Sequence, residues 1–431
     1  MQKTIPANVT YTFERSVLAN GLRVLTSTLP YTNAVSINFL YGAGSRYEAD
    51  DIAGASHLFE HMLFKGTPKR PTPREVSEIV EGVGGSLNAF TDREITGYWA
   101  RLARLHYTQG IDLLADMVRN SLLRETDIAR EKQVVFEEIR ATNDSPAGRA
   151  GMILEDLLWP EQALGRDVAG TVESVSAISR EQMIEYLHTQ YVASNTVIAV
   201  AGNVKHDEVV RQIEDLMGDL PDGKILPMIP FVDNLNGPVA RVENRPTEQA
   251  HVAMGIHGVS MNDSDRHALG LLSVVLGESM SSRLFEEVRE KRGLAYDIHS
   301  ATHMLTDTGV LIVESGIDPS RVHQAVPVIV EEIARTREGI TEKEFEQARE
   351  LSKGRMLLRM EESRVVAGFM GGQELLKNEV RTVEQVIEDI DAVQIEDVQR
   401  VAERIIRSDK MALAMVGPFD DPEPFQKAME F

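Results

Sequence analysis

The feature that most constrains this chain is that its two halves repeat. Residues 171–204 read TVESVSAISREQMIEYLHTQYVASNTVIAVAGNV, and residues 382–418 read TVEQVIEDIDAVQIEDVQRVAERIIRSDKMALAMVGP. Each is Thr-Val-Glu, an amphipathic helix, a polar turn and a short apolar strand ending in glycine, Gly202 or Gly417. Thr171 and Thr382 stand 211 residues apart, and the helices that open near Thr126 and Thr341 stand 215 apart, about half of the 431 residues in each case. A period that long marks a duplicated domain, not a stack of short repeats. The reading is a domain over 1–219, a linker over 220–238 and a homologous domain over 239–431. The linker carries Pro221, Pro227, Pro230, Pro238 and two glycines. Domains of about 200 residues bury enough surface to stand on a core without staples.

Within each half, strand and helix signals mix. Val35, Ile37 and Phe39 alternate with polar residues, and Ile95, Gly97, Trp99 and Arg101 do so less cleanly; the pattern predicts half-buried strands. Thr72 reads as the cap of a helix with Pro73 at its first position and Val76, Ile79, Val80 and Val83 on one face, ending at Gly84-Gly85. In the second half, His251–His257 and Val310–Glu314 read as strands, and Ser320–Glu338 and Thr341–Met360 as helices. Strands follow one another directly. The predicted class is therefore α+β, two homologous domains, each an antiparallel-rich sheet layered with helices.

Composition removes several classes of function. Lys plus Arg number 45 against 67 Asp plus Glu, a net charge of −22, and a phosphate backbone needs a basic surface, so no nucleic acid is expected. The acidity fits a chamber that favours basic, extended peptides, and fits equally a charge that keeps the chain soluble. The chain has no cysteine, which excludes a disulfide framework, thiolate zinc, iron–sulfur ligation and a Cys nucleophile; any metal must use His and carboxylates. No apolar run approaches the roughly 18 residues of a membrane span. The N-terminal MQKTIPANVTYTFERSV has neither a signal-peptide core nor an Arg-rich transit pattern, and Asn8-Val9-Thr10 is a glycosylation sequon in form only. A cytoplasmic protein without membrane contact is expected.

Candidate chemistry begins at H-L-F-E-H, His57 to His61. On a helix, positions i and i+4 share a face about 6 Å apart, so two imidazoles can reach one ion. Glu60, displaced round the helix by one residue, can address a water on that ion. This is the zinc-peptidase H-E-x-x-H pattern read backwards. The plain alternative is an amphipathic helix with two incidental histidines. Against it, His57 and His61 lie among Leu58, Phe59, Met62, Leu63 and Phe64, where they need partners.

Zinc with water in its fourth position needs a third protein ligand. In E-K-Q-V-V-F-E-E-I, Glu131 to Ile139, a step of about 100° per residue gathers Ile128, Val135 and Ile139 on one stripe and turns Glu137 away from it. Glu138 and Glu131 lie within about 20° of each other at the stripe's edge. Glu138 is the better ligand. Glu131 is then a carboxylate that orients a ligand, or else a surface charge. His299 and His303 also stand at i and i+4, but in a predicted strand, where four residues span about 13 Å, which argues against a shared metal. His251 and His257 have no carboxylate pattern beside them and read as structural or surface residues.

With these motifs assembled, the sequence resembles the pitrilysin-type zinc peptidases, the inverted zincins, and most closely their short-chain branch, with the mitochondrial processing peptidase β subunit and its bacterial relatives. The resemblance spans nearly the whole chain. It is carried by A-N-G-L-R-V (Ala19–Val24), Y-G-A-G-S-R (Tyr41–Arg46), H-L-F-E-H-M-L-F-K-G-T (His57–Thr67), G-G-S-L-N-A-F-T (Gly84–Thr91), the Glu131–Ile139 stretch, and S-S-R-L-F-E-E-V-R-E-K-R-G-L-A-Y (Ser281–Tyr296).

The resemblance implies a zinc endopeptidase holding one Zn2+ per subunit on His57, His61 and Glu138, with Glu60 as general base and Glu131 behind the ligands. It implies that Arg289 and Tyr296, seven apart as in the family, hold the substrate carbonyl and stabilise the oxyanion. It also implies that Leu87, Asn88, Ala89, Phe90 and Thr91 form a sheet edge to which the peptide adds as a strand. Family members of this length enclose their sites in a dimer chamber. Both motifs sit in one chain here, so a homodimer is expected, with Arg289 and Tyr296 supplied within the subunit or, as the preferred arrangement, across the dimer. The Gly-rich loop of the family's non-catalytic subunits is not visible at Leu276-Gly277-Glu278-Ser279. The competing function is a non-catalytic scaffold or assembly subunit of the same fold.

Overall fold

The computed structural model of the chain describes residues 12–431; the Asn8–Thr10 sequon and the rest of the N-terminal stretch lie outside them. Two compact units form. The first takes the chain up to Phe136, then Val168–Ile229 and Met356–Ile387; the second takes Glu137–Asp167, Pro230–Arg355 and Glu388–Phe431.

The sheet of the first unit holds β1 (Glu14–Val17), β2 (Arg23–Thr28), β3 (Ala34–Tyr41), β4 (Ser86–Thr91), β5 (Thr96–Ala103) and β6 (Thr196–Gly202), in the order β1-β2-β6-β3-β5-β4. The second sheet holds β7 (Val239–Asn244), β8 (Ala250–His257), β9 (Ala295–Met304), β10 (Gly309–Ile317) and β11 (Met411–Gly417), ordered β7-β11-β8-β10-β9. One pair in each sheet is parallel, β2 with β6 and β7 with β11; the other pairs are antiparallel. The α+β class and its duplication hold. The two Thr-Val-Glu segments play one part in both repeats. Thr171 Oγ1 accepts from Ser174 N at 3.1 Å and Thr382 Oγ1 from Gln385 N at 3.2 Å, and each helix pair leads to a fully buried strand, β6 or β11.

The helices that position the site are α1 (Ala55–Leu63), α2 (Pro73–Glu81), α3 (Glu125–Asp144) and α4 (Pro146–Leu158), with α5 (Ser363–Lys377) late in the chain. The last two are exchanged between the repeats. Helix α4, from the first half, packs in the second unit, where Leu154 and Leu158 join Ala253, Ala412 and Ala414 in one core. Helix α5, from the second half, packs in the first unit, where Val366, Ala367 and Met370 meet Leu25, Leu40, Val197 and Ala199. Small residues permit the approach: a Cβ on Gly371 would stand 2.6 Å from Leu40 Cδ1, and one on Gly255 2.7 Å from Leu158 Cδ1. Ion pairs anchor both helices. Glu374 of α5, 1% exposed, meets Arg15 at 2.9 Å and Arg23 at 3.6 Å. Arg149 of α4 meets Glu243 of β7 at 2.8 Å.

This exchange corrects one expectation. The alternation at Val35, Ile37 and Phe39 predicts a strand wet on one side, yet Ser36 and Asn38 are buried too. Helix α5 covers that face, with Ser36 Oγ 2.9 Å from Ser363 Oγ. Ser36 is polar there because a buried hydroxyl partners it, not because water reaches it.

Candidate metal centre

Helix α1 is placed by a group that sequence reasoning missed. Its cap is Gly54, at φ 94 and without a side chain to accept the first N–H groups. Glu48, fully buried, does so from six residues upstream. Its Oε2 accepts from Gly54 N at 2.8 Å and its Oε1 from Ser56 N at 2.6 Å, setting a carboxylate against the positive end of the helix. Ser56 Oγ lies 2.6 Å from the Tyr186 hydroxyl. A helix opening Gly-Ala-Ser lacks a capping residue, and that was the available signal that an acceptor must come from elsewhere. The core face of α1 is Leu58, Phe59, Met62 and Leu63, each with no exposed surface. His57, Glu60 and His61 are half-buried. The three chemistry-bearing residues are thus the ones that the core leaves uncovered.

The His57 and His61 rings stand 4.7 Å apart between centroids, tilted by 70°. Helix α3 brings the third group. Its backbone runs unbroken through the boundary between units at Phe136, so Glu138, two residues past it, is held by the same helix as Glu131. One donor atom each of His57, His61 and Glu138 lies within 4.8 Å of the others. Ligand atoms on a tetrahedral zinc stand about 3.3 Å apart. Two imidazole nitrogens and one carboxylate oxygen, with a fourth position for water, are a zinc donor set.

Glu131 supports this group from behind. It is buried, with His61 Nδ1 3.4 Å from its Oε2 and Lys65 Nζ 2.8 Å from its Oε1. A proton on Nδ1 facing Glu131 leaves the Nε2 lone pair for a metal. Burial pushes the His61 pKa below its ordinary value although the Glu131 carboxylate opposes the shift; the direction favours the neutral imidazole that a metal ligand must be. Lys65, four residues after His61, was the other residue missed. Helical phase puts Glu138 at the edge of a buried stripe. The stripe is there, with Ile128, Val135 and Ile139 buried, but Glu138 is exposed like Glu137. The surface it faces is open where the histidines emerge, so its carboxylate meets imidazoles instead of core.

Glu60 receives a hydrogen bond from Thr91, whose Oγ1 donates to Oε2 at 2.6 Å. Beneath lie Tyr98 and Tyr191, their hydroxyls 2.9 Å apart. Burial, and further down the Glu60 charge, hold both phenols far above their usual range, so they remain protonated. Strand β4 is an edge. It pairs with β5 on one side, and among the described residues no strand pairs with the other. Leu87, Ala89 and Thr91 are half-buried, whereas Asn88 and Phe90 alternate outward, Phe90 being 42% exposed.

Arg289 and Tyr296 belong to the second unit. Arg289 lies in a π-helical segment, Phe285–Lys291, of the sort that often marks a functional stretch. Its guanidinium sits 4.6 Å from the Phe285 ring centre and 5.2 Å from that of Tyr296. Tyr296, at the start of β9, is 77% exposed. The two are therefore assembled as a pair, with the phenol open to solvent. His299 and His303 lie on β9, and the ring nitrogens of His299 face Asp297 at 3.4 Å and Glu314 at 3.3 Å. His257 packs against Trp159 with its ring centre 6.2 Å away. Among the described residues no helix is long and apolar enough to cross a membrane.

Comparison with known proteins bears on this site. A family model described as Insulinase (Peptidase family M16) matches residues 23–172, and one described as Peptidase M16 inactive domain matches residues 177–352. An uncharacterized zinc protease of Streptomyces coelicolor is 36% identical over 419 residues, covering 96% of this chain and 91% of its own. The uncharacterized zinc protease YmxG of Bacillus subtilis is 34% identical over 94% of this chain and 98% of its own. The crystal structure of a protease from Helicobacter pylori matches with a TM-score of 0.88 at 24% identity, over 94% of this chain and 99% of that one, a likeness of fold.

Proposed function

The chain belongs to peptidase family M16, and from that premise we propose that it is a zinc-dependent endopeptidase that cleaves extended peptides within a homodimer chamber. The observation that carries this reading is the gathering of His57, His61 and Glu138 around one point, with Glu60 on the same uncovered helix face.

Those three residues would hold one zinc per subunit. When bound, zinc supplies the positive charge that brings water close to ionisation at neutral pH and polarises a carbonyl. The remaining steps belong to the chain. Glu60 takes a proton from the attacking water at a carboxylate oxygen and delivers it to the leaving amine nitrogen. Glu131 keeps the His61 ring turned so that Nε2 faces forward. The free edge of β4 aligns the peptide backbone through main-chain hydrogen bonds with little demand on sequence. Tyr296 donates its hydroxyl to the oxygen on which negative charge develops, and Arg289, stacked on its ring, adds positive charge beside it. We assign this pair to the site across the dimer. The net charge of −22 supports a preference for basic peptides.

The test is a mass-spectrometric digest of a mixed pool of unstructured peptides by wild type and Glu60→Gln at matched zinc content. The wild type is expected to cleave, and the variant to be slower by a factor of about a hundred to ten thousand. Equal cleavage by both removes Glu60 from the role of base. No cleavage by either favours the scaffold reading.

A further inference from the structure

We propose that Thr91 is a positioning residue for Glu60, and that the Tyr41–Arg46 stretch and Glu94 fix Thr91 in turn, so that the strand receiving the peptide also sets the base. This rests on the peptidase reading above.

The first observation is the bond itself. A hydroxyl donating to a carboxylate at 2.6 Å is a strong, charge-assisted contact. It fixes the orientation of the carboxylate through Oε2. Threonine is stiff about its first side-chain bond, so the direction of its hydroxyl follows from the backbone of β4. Alternation then divides the strand's work: Leu87, Ala89 and Thr91 face inward, and Asn88 and Phe90 face out. The backbone edge between them is the one without a strand partner among the described residues. A peptide added there lies along a strand whose last side chain holds Glu60.

The second observation is that Thr91 is held in place. It pairs with Thr96 across β4 and β5, and Asp92 N donates to Ile95 O at 2.8 Å to close the hairpin. Thr96 Oγ1 donates to Ala43 O at 3.1 Å. Arg46 N donates to Arg93 O at 3.0 Å, and the buried Arg46 guanidinium pairs with the buried Glu94 carboxylate. Arg46 Nε also donates to Ile229 O at 3.1 Å. Gly44 sits so close beneath the turn that a Cβ would stand 2.2 Å from Asp92 O. The Y-G-A-G-S-R motif thus has a mechanical role: its glycine admits the hairpin turn and its arginine clamps it, directly behind Thr91.

The test uses Thr91→Val, which keeps branching and volume but loses the hydroxyl, and Thr91→Ser, which keeps the hydroxyl. Both are assayed on a peptide that the wild type cleaves. Thr91→Val is expected to lower kcat about tenfold to a hundredfold, with KM within about twofold of wild type. Thr91→Ser should recover kcat to within about threefold. Zinc content and Tm should match the wild type in both. In the Glu60→Gln background, Thr91→Val should leave the Kd of the same fluorescently labelled peptide unchanged. Wild-type kcat in Thr91→Val overturns the proposal and leaves the peptidase reading standing. So does a raised KM and Kd with kcat intact, because Thr91 would then serve the strand and not the base. A wild type that cleaves no peptide overturns the peptidase reading and this proposal together.

Discussion

In the first unit the chain leaves β3, forms α1 and returns through α2 to the edge strand β4. In the second it leaves β8, forms the helix Arg266–Gly277 and returns through Phe285–Lys291 to the edge strand β9. The route is the same and the helices are not. Helix α1 keeps His57, Glu60 and His61 half-buried on one side, whereas Leu271 to Gly277 is buried all round. Among the described residues the group able to hold a metal is His57, His61 and Glu138. Duplication therefore copies a scaffold, and chemistry arises where one helix face beside a sheet edge is left uncovered. The second unit carries Arg289 and Tyr296, the pair proposed to meet substrate, on the π-helical segment and at the start of β9.

Four substitutions sharpen that comparison. The largest effect on metal binding is expected at Glu131, whose partners His61 and Lys65 lie at the candidate metal group. Glu131→Gln should weaken zinc binding about tenfold to a hundredfold, read by competition with a chelator. Unchanged affinity would leave Glu131 as a bystander.

The next compares the exchanged helices. Glu374 of α5 is buried against two arginines, and Glu243 opposite α4 is about a quarter exposed. Glu374→Ala should cost about 2 kcal/mol, because it leaves the largely covered Arg23 guanidinium without its carboxylate, and Glu243→Ala about 1 kcal/mol. Urea unfolding gives both values, and a reversed order would contradict the account of the anchors.

The smallest effect lies on β9 and β10. The Glu314 carboxylate raises the His299 pKa, and His299 in turn lowers that of Glu314. A raised His pKa stabilises below the unfolded value and is lost as pH rises through the folded one. A lowered Glu pKa stabilises above the unfolded value and is lost as pH falls through the folded one. The pair therefore contributes most between about pH 4.5 and 6.5. Both side chains are nearly half exposed, so His299→Gln should lower Tm by about one or two degrees near pH 5.5 and leave it unchanged by about pH 8.5. A loss that persists at the higher pH would mean packing, not charge.

The repeat, the class of the fold and the residues of the metal group were legible because each rests on local spacing. Thr171 and Thr382 cap equivalent helices, and His57 and His61 share a face whatever surrounds them. What was not legible depends on segments distant in the chain. Ser36 reads as a solvent-facing position because nothing near it announces that Ser363 will cover it. Glu48 reads as an ordinary acidic loop residue until the helix it caps is seen to lack a cap of its own. Glu138 could be chosen over Glu137 from helical phase, but its exposure depends on what α1 leaves open. Arg289 and Tyr296 carry no spacing signal that chemistry alone would select, and their stacking needed the π-helical turn.

The central proposal is that His57 and His61, on the uncovered face of α1, and Glu138 of α3 together hold the one metal of the chain. The most direct test is the zinc content per chain of purified protein, measured by elemental analysis for the wild type, Glu60→Gln and the double variant His57→Ala/His61→Ala. The account predicts about one zinc per chain in the first two and almost none in the third. Zinc undiminished in the double variant would contradict it.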